Sequence, residues 1–206
     1  MINRRAFLVL STALLLPLLP GLSGRALAQA AGDRAAAFVK THADSIVSAM
    51  KGAGTPEEKR RILGPIIDAS IDVDGVARFC LGRFWRSASP DQQKRYVALF
   101  HQVLIGSITS KLGEYQDVRV TVGRSQPRDD TQVVTTTLER PNNPPTTVDW
   151  IVTDAATNPK VIDVIAEGTS LRLTQRSDYA AYLTHNNSDV DALIKAMSQQ
   201  LAQPKS

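Results

Sequence analysis

An α+β fold is predicted, with a curved antiparallel sheet of four to five strands packed by helices beneath an N-terminal helical layer. Three observations predict it. Apolar residues recur at helical spacing from Asp33 to Leu112, and from Val118 to Glu167 they alternate with polar ones instead. The strand-like stretches are joined by short, turn-rich links, whereas parallel neighbours need crossovers of a dozen or more residues. The C-terminal stretch then returns to the helical period, so helices flank the sheet in sequence.

The first helix is expected over Asp33–Met50, with Phe38, Val39, Ile46, Val47 and Met50 on one side, and Lys51-Gly52-Ala53-Gly54 ends it. Thr55-Pro56-Glu57-Glu58 supplies a cap, a proline at the first helical position and a capping-box acid, which starts a second helix running to about Ile71. Asp72 and Asp74 open a third, closed by Gly82 after Leu81. Ser89-Pro90-Asp91-Gln92 repeats the cap and opens the longest helix, to Leu112. Its apolar stripe is Tyr96, Leu99, Phe100, Val103, Leu104, Ser107, Ile108 and Leu112.

Val118, Val120 and Val122 alternate with Arg119, Thr121 and Gly123 as a first strand. Gln132–Leu138, Thr146–Thr153 and Lys160–Glu167 follow, separated by turns at Gln126–Asp130, Arg140–Pro145 and Ala155–Pro159. Thr169–Leu173 is expected to extend the sheet, and two helices, Ser177–Thr184 and Asp189–Ala202, close the chain.

The composition, 206 residues of which 43% are apolar, 21% charged and 5% aromatic, excludes disorder as the dominant state. Cys80 is the only cysteine, which excludes a disulfide scaffold, and its apolar neighbours predict a buried thiol. Residues Met1–Ala28 read as an export signal: Arg4 and Arg5, an apolar run from Ala6 to Leu19, and Ala26-Leu27-Ala28 as the cleavage site. The run is short for a membrane span, and Asn3-Arg4-Arg5-Ala6-Phe7-Leu8 resembles a twin-arginine signal, so the Sec and twin-arginine routes both stay open. Residues 29–206 then form one domain, expected in the periplasm and as a monomer. The leader carries three of the 24 bases and no acid, leaving 21 bases against 20 acids. Such a balance gives no reason to expect a nucleic-acid partner.

Nothing in the sequence assembles catalytic chemistry. His42, His101 and His185 lie in separate elements without a second ligand at metal-site spacing, and there is no glycine-rich phosphate loop or Gly-x-Ser-x-Gly elbow. Asp72 and Asp74 suit a helix start, and Asp129-Asp130 a turn. No catalytic residue, metal or cofactor is expected.

The apolar faces offer something else. Val148, Trp150 and Val152 share a strand face opposite Asp149, Ile151 and Thr153, with Val134, Thr136 and Leu138, and Ile162 and Val164, as matching candidates. A filled core is the ordinary reading of each such residue. A curved sheet with helices across its mouth can also enclose a dry cavity, and periodicity does not separate the two.

Asp72-Val73-Asp74-Gly75-Val76-Ala77-Arg78-Phe79, Leu81-Gly82-Arg83-Phe84-Trp85, Ser89-Pro90-Asp91-Gln92-Gln93 and Phe100 resemble the hallmark stretch of the MlaC family. Val148-Asp149-Trp150, Ile162-Asp163-Val164, Glu167-Gly168-Thr169-Ser170-Leu171 and Gln175-Arg176-Ser177-Asp178-Tyr179 follow in the order of that family's second signature. The resemblance spans about Phe38 to Leu201; Thr169 departs from it, standing where an apolar residue is more usual. These are periplasmic phospholipid-binding, toluene-tolerance proteins, and the hopanoid-linked HpnM branch shares most of the features. The resemblance implies a carrier that holds a phospholipid as cargo by its acyl chains. Its expected partners are an inner-membrane ABC transporter complex and an outer-membrane lipoprotein complex. Candidate pocket residues are Tyr96, Phe100, Val103, Leu104 and Ile108 from the long helix. The sheet contributes Val134, Thr136, Val148, Trp150, Val152 and Val164, and the family stretches Phe79, Trp85, Leu171 and Tyr179. The alternative is a small hydrolase or isomerase on a cone-shaped fold of the nuclear-transport-factor type, which an acid–base pair inside the pocket would mark.

Overall fold

The computed structural model describes residues 22–52, 54–112 and 117–202. The helices are α1 (Leu22–Gly52), α2 (Pro56–Ser70), α3 (Val73–Leu81), α4 (Pro90–Leu112), α5 (Leu171–His185) and α6 (Val190–Ala202), with a 3-10 turn over Gly82–Arg86 between α3 and α4. The strands are β1 (Arg119–Arg128), β2 (Thr131–Glu139), β3 (Thr146–Thr153), β4 (Lys160–Ala166) and β5 (Thr169–Ser170). They form one antiparallel sheet in sequence order. Of the expected export signal, residues 1–21 lie outside the described residues, and Leu22–Ala28 open α1.

The caps act as their sequences dictate. Thr55 accepts from the Glu58 amide while the Glu58 carboxylate accepts from the Thr55 amide at 3.0 Å, a reciprocal capping box that starts α2. Ser89 and Gln92 make the same exchange at α4, and Asp72 caps α3 by accepting from the Gly75 amide.

Four boundaries differ from the sequence reading. The helix expected from Asp33 already runs from Leu22. The first strand continues through the expected turn to Arg128, leaving only Asp129–Asp130 as the hairpin loop. Pro127 is tolerated there because β1 is an edge strand, whose missing amide faces no partner. A bulge sits in β1 between Val122 and Ser125, where a side chain on Gly123 would stand 3.0 Å from the Thr135 carbonyl. The expected strand Thr169–Leu173 stops after two residues. Glu167 and Gly168, both at positive φ, turn the chain into β5. Ser170 then caps α5 by accepting from the Leu173 amide, so the helix begins at Leu171 and not at Ser177.

β4 carries the last difference. Trp150 pairs with Val164 and Ile151 with Asp163, but Val152 pairs with Val161. One extra residue, Ile162, is bulged out, so Val161 takes the place beside Val152 that strict alternation assigns to Ile162.

The interior has two parts. The face of Val134, Val152 and Val161 packs against Ala35 and Val39 of α1, with Ala155. A separate helical core joins Leu63 and Ile67 of α2, Ala77, Cys80 and Leu81 of α3, Phe84, Tyr96 and Phe100, Leu183, and Leu193, Ile194 and Met197 of α6. At the sheet margin Ile71 bridges in parallel to Val161, and the Asp72 amide donates to the Val161 carbonyl at 3.0 Å.

Candidate functional site

Four of the predicted pocket residues, Tyr96, Phe100, Val103 and Tyr179, lie in the buried helical core. Tyr96 is fully buried and donates its hydroxyl to the Ala77 carbonyl at 2.9 Å. Its ring stands 6.0 Å from Phe100 and 6.1 Å from Tyr179, and Phe100 and Tyr179 meet edge-on at 6.5 Å. Burial pushes both tyrosine hydroxyls above their ordinary range. Val103 is buried in the same cluster, against which Phe79, Trp85, Leu104 and Ile108 are only partly buried. Cys80 is buried beside the Arg172 carbonyl, and desolvation pushes its thiol up to about 12. It is no nucleophile at neutral pH.

On the sheet, Val134 and Val152 are completely buried beneath α1, while Trp150 and Val164 are half-buried at the edge of that packing. Thr136, also completely buried, accepts from the Trp150 indole at 2.9 Å and donates to the Val148 carbonyl at 3.2 Å. The indole is thereby tethered to the neighbouring strand, its polar atom satisfied. Val148 is buried beside them, directly opposite Thr136. Leu171 is 49% exposed at the first position of α5, which sets it on the protein's surface and apart from these walls.

What the structure brings together is a seam between the two cores. Among the described residues Ile71 packs against both. On the sheet side, Phe38, Val122, Trp150 and Val164 are half-buried; on the helical side, Ile46, Leu104, Ile105 and Ile108 are. Helix α1 straddles the two, with Ala35, Phe38 and Val39 on the sheet and Ile46 and Ala49 on the helices. Phe38, Ile46, Ile71, Ile105 and Val122 are absent from the sequence-derived pocket set. The spacing of Phe38 and Ile46 on one helical side was the available signal; the role of Ile71 depends on long-range packing.

Polar groups gather where α1, α2, α4 and β4 meet. Lys160 donates to the Asp68 and Ala69 carbonyls at 2.9 and 2.7 Å, supplying a cation to the C-terminal end of α2. His101 lies 2.5 Å from Asp68. His42 packs edge-on to Phe38 at 4.4 Å, and burial, with a smaller contribution from the Lys160 charge, lowers its pKa below 6.5. Among the described residues no three His, Cys, Asp or Glu side chains converge on a metal-sized site, and no helix is long and apolar enough to cross a membrane. The half-buried residues along the two cores are apolar, and His42, His101 and Lys160 stand beside them.

Comparison with known proteins finds relatives of the whole fold. The family model for MlaC protein matches residues 35–199. The toluene tolerance protein ttg2D of Pseudomonas putida is 26% identical over 147 residues, an alignment covering 70% of this chain and 66%, just under two thirds, of that protein. A phospholipid-binding protein from Ralstonia solanacearum, solved in complex with a phospholipid, superposes with a TM-score of 0.73. The superposition covers 82% of this chain and 99% of the other at 24% identity, a likeness of fold.

Proposed function

The chain belongs to the MlaC family, and from that premise we propose that it is a periplasmic carrier that holds a phospholipid by its acyl chains in the seam between its two cores. The observation that carries this reading is the pair of separately packed apolar cores, each rimmed by half-buried side chains, Phe38, Trp150 and Val164 on the sheet core and Leu104 and Ile108 on the helical one. The phospholipid in the Ralstonia solanacearum protein, whose fold is shared, supports it.

Burying hydrocarbon stabilises by about 0.8 kcal/mol per methylene, so two chains of roughly 15 methylenes already hold about 24 kcal/mol in a bilayer. A carrier must offer an equally dry enclosure, and then transfer is close to balanced and needs no covalent step. The head group stays in water, beside the polar border of His42, Lys160 and His101. Rows of half-buried apolar side chains supply such walls; a fully packed core does not. The carrier exchanges its cargo with an inner-membrane ABC transporter complex and an outer-membrane lipoprotein complex, after removal of Met1–Ala28 on export.

Organic extraction of gently purified protein, followed by mass spectrometry, tests the reading. Phospholipid is expected at about one molecule per chain by the enclosure argument. No lipid in the extract, together with no uptake from liposomes, sinks it.

A further inference from the structure

Five arginines crowd the surface where α3, the 3-10 turn and the first turns of α5 meet. Phe79 lies half-buried under two of them, the guanidinium of Arg172 at 4.5 Å and that of Arg176 at 4.8 Å from its ring centre. Arg83 stands over Phe84 at 4.8 Å and Arg78 over Trp85 at 5.6 Å. The Arg176 side chain also closes over Gly82, which ties α5 to the end of α3. Arg83 and Arg86 are three residues apart in the 3-10 turn, where such positions eclipse, so both project from one side.

Stacking on rings holds the guanidiniums of Arg78, Arg83, Arg172 and Arg176 in place without using their N–H donors. Asp163, buried beneath, lies 3.5 Å from Arg172. Among the described residues no carboxylate comes within 4.0 Å of Arg78, Arg83, Arg86 or Arg176, although Asp74 and Asp178 lie on the same helices. Four exposed cations are thus gathered without counter-charge. Beside them, Leu171 and Leu173 are 49% and 56% exposed, on either side of Arg172 in the first turn of α5.

We propose that this arginine–leucine face docks the protein on an anionic phospholipid surface, with guanidiniums on head-group phosphates and the two leucines in the interfacial layer. Charge complementarity selects an anionic occupant. A nucleic acid offers phosphates but nothing for two exposed leucines, whereas a bilayer interface accepts both. The docking face is separate from the cargo seam, since none of Arg83, Arg86 or Leu173 lines it.

The test is co-sedimentation of the mature chain with vesicles of phosphatidylcholine alone or with about 30% phosphatidylglycerol, at roughly 50 mM and 500 mM salt. At least a tenfold preference for the anionic vesicles is expected at low salt, falling severalfold at high salt as the charges are screened. Arg83→Gln/Arg86→Gln should cut binding about fivefold with the same melting temperature and the same co-purified lipid. Leu173→Ser should weaken binding while keeping its salt dependence. Equal binding to both vesicle types, no binding to either, or a double variant that binds like the parent overturns the proposal; no binding to either leaves the face to an acidic protein partner. Should the double variant fail to fold, Leu173→Ser and the salt titration of the parent decide. Co-purified lipid is read separately, so loss of docking and loss of cargo are distinguishable.

Discussion

Ser170 donates its hydroxyl to the Asp163 carboxylate at 2.6 Å while accepting from the Leu173 amide at 3.2 Å. The other Asp163 oxygen accepts from the Val164 and Arg172 amides at 2.8 and 3.1 Å. Asp163 is 7% exposed, so one buried carboxylate fixes the turn from β4 through β5 into α5. It also explains why the chain stops being a strand at Ser170.

Removing that carboxylate strands the part-buried Ser170 hydroxyl and the Val164 and Arg172 amides together with the Arg172 charge. Asp163→Ala is expected to cost about 3 kcal/mol, and Ser170→Ala, which loses mainly the cap, about 1 kcal/mol. Denaturant unfolding checks both. Equal effects for the two variants would mean that Asp163 acts only through Ser170.

His42 predicts a pH dependence. Its folded pKa is lowered, so the unfolded chain takes up the proton first as pH falls below 6.5. The stability it protects is complete above that value and is lost as pH drops through the folded pKa. Melting temperature should therefore fall from pH 7.5 to pH 5, and His42→Gln should flatten that part of the curve. An unchanged slope in the variant assigns the dependence to other groups.

The long helix supplies a contrast between core and seam. Phe100 is 4% exposed among Tyr96 and Tyr179, so Phe100→Ala should cost about 4 kcal/mol with little specific effect on cargo. Ile108 is half-buried, and Ile108→Glu should leave the fold near its original stability but sharply reduce co-purified lipid. Thermal melts and lipid extraction of both variants give the answer, and a reversal of the two patterns would exchange core and seam.

The parts of the fold written in local chemistry were legible. The capping boxes at Thr55 and Ser89 open α2 and α4 at the expected residues, and alternation marks four of the strands. What escaped depends on distant partners. Leu171 and Leu173 alternate like a strand, and only the Asp163 carboxylate and the Ser170 cap make them helical. The bulge at Ile162 is set by the pairing of Val152 with Val161 and has no signature of its own in β4. The same holds for the site. The stripe from Tyr96 to Ile108 was visible, but which members turn to the interior and which to the seam follows from where α3, α5 and α6 pack.

Val152 and Val164 carry the sharpest test. Both lie on strands under the helical layer, and the sequence treats both as walls of one pocket. Val152 is completely buried among Val134, Val161 and Ala155 beneath Ala35 and Val39 of α1, so a charge there is held away from solvent. Val152→Asp should therefore cost more than about 4 kcal/mol, enough to prevent folding of a marginally stable domain. Val164, paired with Trp150 at the half-buried margin, lets a carboxylate reach solvent. Val164→Asp should then fold, with a loss of about 1–2 kcal/mol, and lose its lipid. Circular dichroism and lipid extraction of the two proteins separate the outcomes. A folded Val152→Asp protein that merely loses lipid would move the cavity beneath α1, and full lipid loading of Val164→Asp would remove this margin from the site.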